Sequence, residues 1–376
     1  MKFQVLSSDL MSHLSAISRV LVSKNSMPIL ENFLFEIGDN LLKVTASDGD
    51  TTMITTIAIS EVDGDGRFVV PAKTLLDPLK EMPQQMLSFD IDPGNLDTNV
   101  YYANGKYNFI AGNADEYPTL RSMSAETNTF TIPATALLNG IVSTIFAVAD
   151  DELRPVMNGI YIDVTPESCI FVASDSKKLV RLINSSVKAG FTASFILPKK
   201  PANLLKGIVS KDMADAEIQF DSKSARVRIG DYTVICSLIE GKYPRYEAVI
   251  PKNNTNCMII DRQECINTLR RISVFASQAT NQVKFELDKD QLTISAADVD
   301  YSISGTEKIA CSYDSVPMQI GFRANFLIEI LNTMPSNEVE FRMAESFRAA
   351  LIVPVSNNEN EDLLMLIMPM QLADIA

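Results

Sequence analysis

Apolar residues recur along this chain with two different periods. Leu10, Leu14, Ile17 and Leu21 return every three or four positions, which marks one face of a helix. Leu138, Ile141, Ile145 and Val148 repeat the pattern, as do Cys265, Leu269, Ile272 and Ala276. A second helix is predicted after each of these, over 72–82, 199–210 and 322–334. Between the helices run short stretches of period two, such as Val227-Arg228-Ile229, Val283-Lys284-Phe285-Glu286-Leu287 and Val339-Glu340-Phe341. Alternation of this kind belongs to half-buried antiparallel strands. The pattern predicts an α+β chain with many strands and two helices per segment.

The segments are copies of one another. Ala46-Ser47-Asp48, Ala173-Ser174-Asp175 and Ala296-Ala297-Asp298 each end an apolar strand, with the aspartates 127 and 123 residues apart. A strand-to-helix landmark at Pro71, Pro198 and Gly321 has the same two spacings. Tyr117-Pro118 and Tyr243-Pro244 close the first two copies, and Met368-Pro369 is read as their counterpart in the third. Fixed spacing is the mark of a repeat architecture. Three tandem units are expected, 1–125, 126–253 and 254–376, joined through the polar stretches 122–128 and 252–256.

Charge alters the picture. The net charge is −14, which by itself argues against a partner made of phosphates. The six helical windows, however, sum to +5, so the remainder carries −19. Lys199, Lys200, Lys206 and Lys211 form the densest basic cluster. If the helices share one surface, that surface suits phosphate while the exterior repels it. No apolar run is long enough to span a membrane, and the first ten residues do not read as a secretory signal. Five scattered cysteines, odd in number and never spaced C-x-x-C, fit reduced thiols in the cytoplasm rather than disulfides or a metal site.

Catalytic chemistry is hard to assemble. His13 is the single histidine, and no nucleophile elbow, P-loop, zinc-protease or dinucleotide pattern occurs. Asp48, Asp175 and Asp298 recur with the repeat, which points to a structural task at a strand end. A triplicated hydrolase built on them would lack both nucleophile and base. The chain reads as a scaffold with no cofactor, no metal and no catalytic residues. A repeat scaffold that binds proteins only remains the alternative.

An ordered set of short motifs narrows this. Met27-Pro28-Ile29-Leu30-Glu31-Asn32, Arg154-Pro155-Val156-Met157-Asn158-Gly159, Gly241-Lys242-Tyr243-Pro244-Arg245-Tyr246 and Met368-Pro369-Met370-Gln371-Leu372 together resemble the bacterial DNA polymerase III beta subunit, the sliding-clamp family. The resemblance runs from residue 1 to 372. It implies three similar domains per chain. Two chains would close head-to-tail into a ring, with helices lining the hole and sheets outside. It also implies a non-catalytic processivity factor for the replicative polymerase.

The resemblance carries site residues with it. DNA contacts fall on Lys24, Lys73, Lys199 and Lys200. A hydrophobic pocket for linear peptides of polymerases, clamp loader and repair proteins falls first on Arg154 and Met157. It continues through Ser174, Ser176, Lys177, Lys178 and Leu179, then Pro244 and Val249. Leu366, Met368, Pro369 and Met370 complete it from the C-terminal segment. The ring would close by pairing an edge strand of the first unit, on which Tyr107 and Phe109 alternate, with an edge strand of the third unit of a second copy, where they meet Val274 and Phe275. Ser176-Lys177-Lys178 stands where the family often has Gly-His-Arg, and Gln371 where it usually has Arg. Residues Ala373 to Ala376 extend the tail. These departures bear on which peptides are preferred.

Overall fold

The computed structural model describes residues 1–22, 25–119 and 123–372. The chain forms two compact units, Met1–Leu138 with Lys200–Leu238, and Asn139–Lys199 with Ile239–Ala376. Each unit contains one junction between consecutive repeats.

In the first unit a nine-stranded antiparallel sheet takes five strands from the first repeat and four from the second. They join where Thr51–Ala58 pairs with Tyr232–Ser237, placing Thr52 opposite Ile235. A five-stranded sheet completes the unit, with Gly105–Ile110 as an outermost strand. In the second unit another nine-stranded sheet joins the second and third repeats where Lys178–Asn184 pairs with Glu361–Ile367. There Leu179 lies opposite Leu366. A four-stranded sheet accompanies it, with Ile303–Ala310 at one edge.

Six α-helices occur among the described residues: α1 (Ser7–Ser18), α2 (Ala72–Lys80), α3 (Ala134–Thr144), α4 (Lys199–Ile208), α5 (Arg262–Ile272) and α6 (Ala324–Thr333). Two per repeat is the predicted number. Leu10, Leu14 and Ile17 are buried as expected, and so are Cys265, Leu269 and Ile272. Leu21 and Ala276 fall beyond their helices.

Four details correct the sequence reading. In α3 the buried position is Leu137 rather than Leu138, because Gly140 lets the helix settle onto Phe171. A Cβ at Gly140 would come within 2.6 Å of that ring. Helix α6 starts after Arg323, so Arg323 and not Gly321 corresponds to Pro71 and Pro198. The turn at Asp298 is longer than its two counterparts, so a single spacing does not run through the third repeat. Finally, Met368 corresponds to Ser237 and not to Tyr243. Met368 donates its amide to the Lys177 carbonyl just as Ser237 donates to that of Asp50.

Candidate docking site and strand edges

The recurring aspartates are turn brackets. Asp48 Oδ1 accepts from the amides of Asp50 and Thr51, and Asp175 Oδ1 from those of Lys177 and Lys178. Asp298 Oδ1 accepts from Asp300 and Tyr301. A carboxylate accepting two backbone N–H groups closes a tight turn without help from neighbours.

The Asp175 turn organises most of the pocket residues. Ser174 Oγ donates to the Lys178 carbonyl at 2.9 Å and accepts from the Ser176 amide at 3.1 Å. Arg154 reaches the turn from the loop before the 3₁₀ segment Pro155–Met157. Its Nε and Nη2 donate to Asp151 Oδ2 at 2.9 and 2.7 Å, and its Nη1 donates to Ser176 Oγ at 2.5 Å. The guanidinium holds the Asp151 carboxyl below the usual carboxylate range. Met157 is buried beneath, its Sδ 3.8 Å from Ser176 Oγ. Arg154, Met157, Ser174 and Ser176 are therefore brought together.

Leu179 and Leu366 meet across the ladder and share one apolar face with Val172, Ile196, Leu351 and Leu364. Tyr243 and Tyr246 cover this face, with Tyr161 stacked on Tyr243 at 4.8 Å. Burial pushes both phenols upward, so they stay neutral at any ordinary pH. Pro244 follows Tyr243 on the surface, and Val249 ends the 3₁₀ segment Tyr246–Val249, 58% exposed. Met368 is 43% exposed, while Pro369 and Met370 are half-buried. Met370 is tied to Gly321 through its amide at 2.8 Å. Exposed apolar side chains thus flank a floor of buried tyrosine and leucine. The sequence marked Tyr243 as a repeat boundary and missed it, with Tyr246 and Leu364, as part of that floor.

The two lysines of the turn part company. Lys177 is exposed. Lys178 is buried, because alternation along the strand turns it to the face opposite Leu179. Its Nζ lies 3.0 Å from Asp175 Oδ2, 3.2 Å from Glu329 Oε2 and 4.0 Å from the centre of the Phe326 ring. The structure therefore corrects the expectation for Lys178. Its charge is committed to α6 and is not offered on the apolar face.

The interface residues sit at the strand edges. Tyr107 and Phe109 alternate on Gly105–Ile110, half-buried. Beside them is a groove of about 290 Å³ between this strand and α2, lined by Thr74, Leu75, Pro78 and Met82 among others. Val274 and Phe275 are not on a strand. They form the 3₁₀ segment Ser273–Phe275 after α5, where Val274 is 71% exposed and Phe275 packs over Gly305 of the edge strand. An edge strand of the third repeat was expected as the partner surface, but its residues, Ile303–Ala310, were not identified.

Of the lysines, Lys24 lies outside the described residues. Lys73 and Lys199 are exposed in the first turns of α2 and α4. Lys200 is engaged, forming an ion pair with Asp48 and donating to the Val20 carbonyl at 2.9 Å. His13 bonds Thr55 Oγ1 through Nδ1 at 2.6 Å and stacks on Tyr232 at 5.3 Å. It is a packing residue. Burial raises the Cys236 and Cys265 thiols to about 12, which leaves them unreactive. No group of metal-ligating side chains occurs among the described residues, and no described helix is long and apolar enough to cross a membrane.

A chain of three α+β repeats joined by continuous sheets is the three-domain DNA clamp fold. Comparison with known proteins agrees along its length. Models of the DNA polymerase III beta subunit match as N-terminal domain over residues 1–121, central domain over 131–245 and C-terminal domain over 247–371. The chain belongs to the DNA polymerase III beta subunit family. The beta sliding clamp of Haemophilus influenzae is 25% identical over 375 residues, covering 99% of this chain and all of that one. That of Synechocystis is 26% identical over 399 residues, with both chains fully covered. Among solved structures, a sliding clamp from Pseudomonas aeruginosa superposes with a TM-score of 0.93 at 22% identity, over 99% of this chain and all of that one. The beta subunit from Thermotoga maritima superposes at 0.89 with 23% identity and the same coverage.

Proposed function

We propose that this chain is a DNA sliding clamp that closes around duplex DNA as a head-to-tail pair. In this reading residues 1–125, 126–253 and 254–376 are its three domains, and it has no catalytic step of its own. One observation carries the closure: two junctions are completed within the chain, and the edges of a third are left over. Thr51–Ala58 pairs with Tyr232–Ser237, and Lys178–Asn184 with Glu361–Ile367. The corresponding strands of the third and first repeats, Ile303–Ala310 and Gly105–Ile110, are both sheet edges. Unpaired edges in one chain call for a partner, and head-to-tail pairing supplies it.

The internal junctions also supply a register. Ser304 faces Ala297 as Leu179 faces Ser174, and Asn108 follows its hairpin as Ile235 follows its own. Leu179 lies opposite Leu366, and Thr52 opposite Ile235. Ser304 then lies opposite Asn108 of the second copy, with Gly305 opposite Tyr107. The helix ends follow the same rule. Phe146, just after α3, lies with Phe326 of α6 around Lys178. Val274, just after α5, takes the same place against α2 of the other copy, where the groove is.

Lys73 and Lys199 then face phosphates without reading bases. Lys200 serves mainly to hold Asp48. The face around Leu179, Leu366, Met368 and Val249 receives short apolar peptides of the polymerase, clamp loader and repair proteins. Adaptable Met side chains suit such a shared site. Free thiols suit a reducing cytoplasm. Light scattering should give twice the 41.5 kDa chain mass. After loading, the protein should persist on nicked circles and leave linear DNA. A monomer at micromolar concentration, or equal retention on both DNAs, would overturn the reading.

A further inference from the structure

The Asp48 and Asp175 turns form a controlled comparison inside one molecule. Both have the bracketing aspartate, the serine that bonds across the turn, and the same amide donated from the neighbouring strand. Both put the residue after the aspartate in the left-handed region, with φ of 100° at Gly49 and 73° at Ser176. Glycine adopts this conformation freely, whereas a serine does so at a cost of about 1 kcal/mol. The turn itself therefore does not need a side chain here. Strain of this kind persists where the side chain has another task.

The task is visible in its contacts. Ser176 Oγ accepts from Arg154 Nη1 and lies against Met157 Sδ. Arg154 and Met157 thus meet the Ser176 turn beside the apolar face, against which Val156 between them packs. We infer that Ser176 is a latch and a selectivity residue for the docking site. Its hydroxyl holds the Arg154 side chain on the turn until an acceptor on the incoming peptide takes over the Arg154 N–H. This rests on the docking reading above. A peptide with a carboxylate beside its apolar anchor replaces the bond it breaks. A peptide without one displaces the Ser176 bond from Nη1 and puts no acceptor in its place, while Nε and Nη2 stay on Asp151.

The test uses the full chain and two labelled nonapeptides with the same leucine pair, one flanked by Asp and the other by Ala. The unmodified chain should prefer the Asp peptide. Ser176→Ala removes the latch while leaving the turn backbone in place. It should tighten the Ala peptide about threefold to tenfold, the scale of one exposed charge-assisted hydrogen bond, and change the Asp peptide less. Its association rates should rise. Ser176→Asn, which tolerates positive φ and offers a carbonyl to Arg154, should restore the original ratio. An unchanged ratio in Ser176→Ala overturns the latch alone. Failure of both peptides to bind the unmodified chain overturns the docking reading and the latch with it.

Discussion

Val274→Ala tests the proposed closure with a magnitude that follows from the structure. Two methyl groups are removed, about 1.6 kcal/mol if fully transferred out of water. The residue is 71% exposed in the single chain, so about 1.1 kcal/mol is at stake in each contact if the groove beside α2 buries it. A head-to-tail pair contains two identical contacts, and separating the copies breaks both. The dissociation constant should therefore rise by about 2.2 kcal/mol, or about 40-fold. A dilution series followed by mass photometry or sedimentation equilibrium measures it. Leu153→Ala is the control, since Leu153 is 91% exposed but sits beside Arg154. Val274→Ala shifting the constant by less than threefold, or no more than the control does, would refute the groove assignment.

Deleting residues 368–376 should abolish peptide binding, because the Met368 and Met370 anchors go with it, while light scattering still finds pairs. Lys73→Ala with Lys199→Ala should flatten the salt dependence of loading, whereas Lys200→Ala should mainly lower the melting temperature by releasing Asp48. Lys178→Ala strips a buried cation from Asp175 and Glu329; denaturant titration should show a loss of about 2–3 kcal/mol, below the usual range for such pairs because Glu329 is half exposed. Lys178→Met, which keeps the stem on Phe326, should lose less, and equal losses would contradict that account. Burial lowers the pKa of His13 from 6.5, against the opposing pull of Asp231 and Asp9. Folding thus favours its neutral form, so stability should fall as pH drops below about 6.5 and level off beneath the folded-state pKa. His13→Gln should make that part of the acid titration flat.

Much of this fold is legible in the sequence. The helical faces of α1 and α5 follow apolar side chains of ordinary size, and period counting finds them. Helix α3 escaped by one position because its contact with Phe171 is made by a glycine, which period counting does not score. The third repeat slipped by two residues at Arg323 because loop length is invisible to a spacing argument resting on two landmarks. Of the residues that the resemblance assigns to a peptide site, Arg154, Met157 and Ser176 are in contact with one another. The direction of Lys178 was not legible, since it depends on the strand register, and register is a tertiary fact. The position of the third repeat's edge strand, Ile303–Ala310, was not legible because its side chains are mostly exposed and show little apolar alternation.

The left-over edges have one more consequence. If, as proposed, Gly105–Ile110 pairs only with Ile303–Ala310 of another copy, two copies joined once expose the same two edges as a single copy until the second contact forms. Closure at two is then a matter of curvature rather than of the contact itself. A substitution that flattens the curve without weakening the contact would not yield monomers. It would yield open chains of three, four and more copies, and sedimentation would report a ladder of sizes growing with concentration.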